Sequence, residues 1–150
     1  MSGYLRFGAM ILASTVVMFG LMYLNTYQLD HVFFSETRAW MAVVMGAAMA
    51  IVMLVFMWGM YKRRGVNVAI LLGAAAAFAI SLWLVRSQAT VDQVSYMKAM
   101  IPHHSIAILT STRARITDPR VRKLADGIIE TQKREIAEMK ALVAELEGKR

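Results

Sequence analysis

No cysteine occurs in the 150 residues. This excludes disulfides, thiolate zinc sites and cysteine nucleophiles, and leaves any metal to His, Met and carboxylate ligands. Acidic residues are few as well, ten against 17 Lys and Arg, for a formal charge of +7. Such a balance could suit a nucleic acid, but the basic residues are scattered and form no aromatic-laced stripe, so nucleic-acid binding is not expected. A Gly-rich phosphate loop, a Ser-His-Asp set, internal repeats and low-complexity tracts are also missing, which removes the common nucleotide-binding and acyl-transfer readings.

What is abundant is apolar surface. With 58% hydrophobic residues and a mean hydropathy of +0.50, the chain is too apolar for a soluble domain. Three charge-free stretches account for this, at about 7–24, 39–61 and 66–85, each long enough to span a bilayer core. The first ends at Leu24-Asn25-Thr26-Tyr27 with no small-x-small cleavage site, so it is expected to be retained as a span. The second is bounded by Trp40 and by Trp58 with Tyr61, as interfacial aromatic belts prefer. Within it Met41, Met45, Met49, Met53 and Met57 form a ridge that winds slowly round the helix, readable as flexible packing or as a copper-conducting ladder. Gly73 and Ala77 on the third span have small-xxx-small spacing, answered by Ala42, Gly46 and Ala50 on the second, which predicts close packing of those two helices.

The turn Lys62-Arg63-Arg64 concentrates positive charge, while the connection from Asn25 to Arg38 carries only Arg38. By the positive-inside rule this predicts a multi-pass protein of the cytoplasmic membrane with its N-terminus inside and its C-terminal part periplasmic or extracellular. In the 25–38 connection, Asp30 and His31 read either as an exposed loop pair or as accessory ligands.

Beyond Arg86 charge appears every few residues, and residues 87–150 are expected to form a separate helical domain with helices over about 90–115 and 119–147. Thr90-Val91-Asp92-Gln93 predicts a capping box with Thr90 as the cap. Thr117-Asp118-Pro119 predicts an N-cap and a first-turn proline for the last helix. Between them stands Met97-Lys-Ala-Met100-Ile-Pro102-His103-His104. At helical spacing Met100 can share a face with either histidine, a thioether and imidazole set that suits a soft metal, copper above zinc or iron. Pro102 lacks the N–H needed to reach Lys98, so a kink is expected just before the histidines. Adjacent helical residues point about 100° apart, so both histidines closing on one ion would need that kink or a second subunit. Asp92, Tyr96 and His103 fall on one side of the helix, and Asp92 reads as a ligand or as a charge placed on the helix dipole. On the last helix Gln132 interrupts the apolar face and Glu135 lies on its edge. Both can be hydrogen-bonding residues or groups orienting the imidazoles behind a metal.

The string Asp92-x3-Tyr96-x3-Met100-Ile101-Pro102-His103-His104-x2-Ala107-Ile108, followed by Gln132-x2-Glu135-Ile136-x2-Met139, resembles the bacterial domain-of-unknown-function family three hundred and five over roughly residues 88 to 147. The resemblance implies a ferritin-like helical domain, often exported and linked in several members to copper binding or resistance. It makes Asp92, Met100, His103, His104 and Met139 the candidate ligands, to which the local spacing adds Met97. The chain departs from the family pattern at Ser105 and Thr110, where many relatives carry further ligand-type residues.

The expectation is therefore an all-α protein of three transmembrane helices followed by a ferritin-like helical pair. Two helices alone cannot bury both apolar faces, so dimerisation is expected to complete a four-helix bundle. The expected function is copper binding, with membrane lipid and a second copy as partners and no enzymatic activity. A di-metal oxidoreductase is the first alternative, but ferritin-like oxidases use Glu-x-x-His pairs and this chain offers Met100-x-x-His103 instead. A metal-free scaffold with structural or pH-sensing histidines is the second.

Overall fold

A computed structural model describes residues 3–148. Five α-helices and no strands are present among them: α1 (Gly3–Leu21), α2 (Glu36–Phe56), α3 (Arg64–Ser87), α4 (Gln93–Arg113) and α5 (Pro119–Gly148), with single 3-10 turns at Leu29–His31 and Trp58–Met60. The first three are long and apolar enough to cross a membrane.

Their ends depart from the apolar stretches. α1 starts at Gly3, before the expected Phe7, because a helix need not stop where hydrocarbon does and Arg6 can lift its guanidinium to the interface. It stops at Leu21, before the expected Leu24. Beyond it the Thr26 amide and hydroxyl both turn back onto the Tyr23 carbonyl, at 3.3 and 3.0 Å. α2 gives way after Phe56 to the 3-10 turn containing Gly59, a poor helix former, rather than running to Tyr61. α3 closes on Gln88, whose left-handed backbone (φ 53°) directs its N–H to the Leu84 carbonyl at 2.9 Å.

The chain divides into two compact units. One contains α1, α2 and α3. Its core is Phe7, Ala50 and Leu54, with Ile11, Ile70 and Ala74 packed against it. Of the small residues expected to bring α2 and α3 together, Ala50 does share this core with Ala74, but the two glycines differ. A Cβ on Gly46 would stand 2.2 Å from the Thr15 hydroxyl oxygen, so Gly46 admits α1, whereas a Cβ on Gly73 would meet nothing within 4 Å. At Gly46 the close approach is therefore to α1, since Thr15 is the side chain that occupies the space glycine leaves.

The other unit joins Tyr23–Glu36 to the chain from Val91 onward, so the first connection belongs with the C-terminal helices and not with the membrane helices. α4 is capped by Asp92, whose carboxylate accepts the Ser95 N–H at 2.7 Å. The expected cap was Thr90; the acidic residue two places later takes the role. α4 continues through the buried Pro102 to Arg113 as one element. After the turn, Asp118 accepts the Arg120 N–H at 2.8 Å and Pro119 opens α5, as its sequence predicts. The two helices run antiparallel, with Val94 and Met97 packed on Val143, and Ile101 and Ile108 on Ile136.

Tyr27 and Phe33 of the connection cover that second cluster. The seat is polar at its centre. Ser105, fully buried, accepts the Tyr27 N–H at 2.7 Å, and its hydroxyl lies 2.9 Å from His31 Nδ1. At the edge Lys140 bonds the Asp30 carboxylate at 2.6 Å. The exposed-pair reading of Asp30 and His31 therefore holds for Asp30 alone, because His31 is only 6% exposed.

Candidate functional site

α4 presents Gln93, Met97, Met100 and His104 at intervals of three or four, and α5 answers with Glu135, Met139, Leu142 and Leu146 at the same spacing. These two stripes line one groove of about 550 Å³. Three thioethers, one imidazole and two carboxylates, those of Glu135 and Glu138, therefore share a single largely apolar-walled space. Tyr96 and Glu138 complete its lining. Met97 is buried in the packed part of the hairpin, while Met100 and Met139 are partly exposed.

The imidazole is the group with unfinished business. His104 is 16% exposed, and its Nδ1 lies 3.1 Å from Glu135 Oε2. That separation is within ion-pair reach, yet the alignment is not that of a hydrogen bond, and Nδ1 is buried without an aligned partner. Nδ1 is thus close to a carboxylate but poorly aligned with it, so that a water, an ion or a small rotation of Glu135 can engage it. A buried polar atom held by a poorly aligned contact leaves part of its bonding capacity open to water or an ion. Burial is the main influence on the ring and lowers its pKa; Glu135 opposes this through its charge and its contact with the ring, and the neighbouring His103 adds to the lowering. The ring is thus held neutral, with a nitrogen lone pair able to ligate, beside a carboxylate whose oxygen faces the same space.

The remaining candidates separate from this groove. His103 is exposed, with its ring centre 6.1 Å from that of His104 and tilted by 59°, so the helix turns the two apart as its geometry requires. Asp92 caps the helix. Gln132 lines a separate depression with Arg120, Lys123 and Leu124. Among the described residues no three His, Asp or Glu groups gather to hold a metal ion, so any ion at the groove would depend on methionine sulfur.

Sequence reasoning missed Ser105, Lys140 and the burial of His31. The signal for Ser105 was present: a small hydroxyl residue between Ile101 and Ile108 at helical spacing, on a face otherwise apolar. Its partner lies 78 positions away in the chain, and no local pattern supplies that.

Residues 92–150 match the family described as Domain of unknown function (DUF305). The chain is similar to "Uncharacterized protein L153" of Acanthamoeba polyphaga mimivirus, with 36% identity over 88 residues, which cover 57% of this chain and 58% of that protein. The chain thus spans little more than half of that relative's length. No solved structure matches. The region from Asp92 onward accordingly belongs to the DUF305 family.

Proposed function

We propose that the protein is a membrane-anchored copper-binding protein whose groove between α4 and α5 takes Cu(I) through Met97, Met100, Met139 and His104, with Glu135 beside them. The single observation that carries this reading is the misaligned, buried Nδ1 of His104 in a groove lined by three thioethers. Thioether sulfur favours Cu(I) and adds little for zinc or iron, and a neutral imidazole completes a soft set without a thiolate. Glu135 would supply charge compensation and orient the ring. A di-metal oxidase would use Glu-x-x-His pairs, and the histidine of this groove stands in Met100-x-x-x-His104 instead, so we read the role as binding. The domain would lie on the outer side of the cytoplasmic membrane, in keeping with the positive turn at Lys62-Arg63-Arg64. A homodimer completing a ferritin-like four-helix bundle would cover Val121 and Leu124, which α5 leaves 48% and 66% exposed.

The test is a competition titration of detergent-purified protein against a chromogenic Cu(I) chelator, with zinc in parallel. His104→Ala and Met100→Leu are each expected to weaken Cu(I) binding about tenfold or more, and His103→Ala to leave it unchanged. Met100→Leu keeps the volume and deletes the sulfur, so its loss is chemical rather than structural. Zinc bound as tightly as Cu(I), or full copper occupancy in His104→Ala, would overturn the reading and leave the imidazole as a structural partner of Glu135.

A further inference from the structure

The membrane unit, residues up to Met22 with Thr37–Thr90, contains no Asp or Glu. Its cations are Arg6, Arg38, Lys62, Arg63, Arg64 and Arg86. Arg38 is engaged by the Met22 carbonyl, whereas Arg6 and Lys62 line one pocket of about 370 Å³ between the first turns of α1 and the α2–α3 connection. The other walls of that pocket are apolar or aromatic, chiefly Phe7, Met10, Met57, Met60 and Tyr61.

A polar clamp fixes this arrangement. Tyr4 Oη donates to Asn67 Oδ1 at 2.8 Å and accepts the Arg63 N–H at 3.2 Å, while Asn67 Nδ2 donates to the Tyr61 carbonyl at 2.9 Å. Asn67 is fully buried, and the Tyr4 and Tyr61 rings lie 4.9 Å apart. Arg6 and Lys62 thereby line one largely apolar trough, with no carboxylate in the unit to neutralise them. We infer that this pocket binds an anionic phospholipid, Arg6 and Lys62 meeting the phosphate and Met10, Met57 and Met60 receiving the upper acyl chain. Flexible thioether side chains suit a ligand of varying chain shape. Tyrosines at the rim suit the headgroup level. The inference rests on the membrane unit alone and is independent of the copper reading.

The shared chemistry is a phosphate, from a lipid headgroup or free in solution, and the experiment separates the two. Full-length protein in mild detergent is titrated with fluorescent phosphatidylglycerol and with phosphatidylcholine of the same chains, then challenged with inorganic phosphate. Two charges near an anionic headgroup predict a preference for phosphatidylglycerol of about thirtyfold. That preference should be lost in Arg6→Gln/Lys62→Gln and retained in Arg6→Lys/Lys62→Arg, which keeps charge at both exposed positions. Arg86→Gln, at the other end of α3, should leave it unchanged. Equal binding of the two lipids, an unchanged Gln double variant, or an equal loss in Arg86→Gln would overturn the site. Displacement by inorganic phosphate at concentrations equal to those of the lipid would assign the cations to a free anion and overturn the lipid assignment.

Discussion

Ser105 joins parts of the chain that the sequence keeps far apart. Its hydroxyl accepts one N–H and meets one ring nitrogen, all buried. Ser105→Ala would leave the Tyr27 amide and His31 Nδ1 unsatisfied, at a cost of about 1–3 kcal/mol, without opening a large cavity. Hydrogen exchange of the amides in the Tyr23–Glu36 segment should rise in that variant while those of α1–α3 stay as they are. His31 adds a pH dependence. Burial, and secondarily the charge of Lys140, hold its pKa below the ordinary 6.5, while Asp30 opposes them. The folded state thus prefers the neutral ring, and below about pH 6.5 the unfolded or undocked state takes up the proton more readily. Stability of the docked segment therefore falls as pH drops through that range. The Asp30 carboxylate, held below its ordinary 3.8 chiefly by Lys140, keeps its bond until more acid conditions. The protection factors of the segment, measured relative to the intrinsic exchange rate at each pH, should fall between pH 7 and 5 in the wild type and stay level in His31→Gln.

At the scale of elements, the three spans and the two later helices were legible because each is a long run of one character: uncharged apolar for α1–α3, amphipathic with caps for α4 and α5. The ends were not, since hydropathy marks where lipid lies and hydrogen bonding marks where helix lies, as Arg6 inside α1 and the 3-10 turn after Phe56 illustrate. The soft groove was half legible. Met97, Met100 and Met139 with His104 follow from helical periodicity, but the choice of His104 over His103 needed the rotation of α4 about its axis, which α5 and the docked segment set. The partner of Gly46, Thr15 of α1, was not legible either, because small residues say that something comes close and not what. Gly46→Ala should therefore destabilise the three-helix unit by about 1–3 kcal/mol, as Thr15 is β-branched and its hydroxyl is already bonded to the Ile11 carbonyl at 2.8 Å. Thr15→Ala should rescue it. Gly73→Ala should be neutral or stabilising by up to about 1 kcal/mol, since the new methyl meets nothing and alanine favours helix. Unfolding in mild detergent compares the three; a Gly73→Ala loss as large as that of Gly46→Ala would show that a neighbour closes on Gly73 as well.

For the whole molecule, the packing of Tyr23–Glu36 on α4 and α5 bears on topology. A segment bonded to Ser105 and Lys140 must lie on the same side of the membrane as those helices. Three crossings give the same parity, because the connection after α1 and the chain after α3 are separated by two spans. With all three helices crossing, the Lys62-Arg63-Arg64 turn falls on the other side, and the positive-inside rule predicts that this is the inner one. With no native cysteine, single replacements report cleanly in intact cells treated with an impermeant maleimide. Leu29→Cys, at a position 90% exposed, and Ser87→Cys should both label, and Gly65→Cys should not. Opposite labelling of all three would reverse the sidedness while keeping the packing intact. Different labelling of positions 29 and 87 would break the docking of the connection on the C-terminal helices, and with it the roles given to Ser105 and His31.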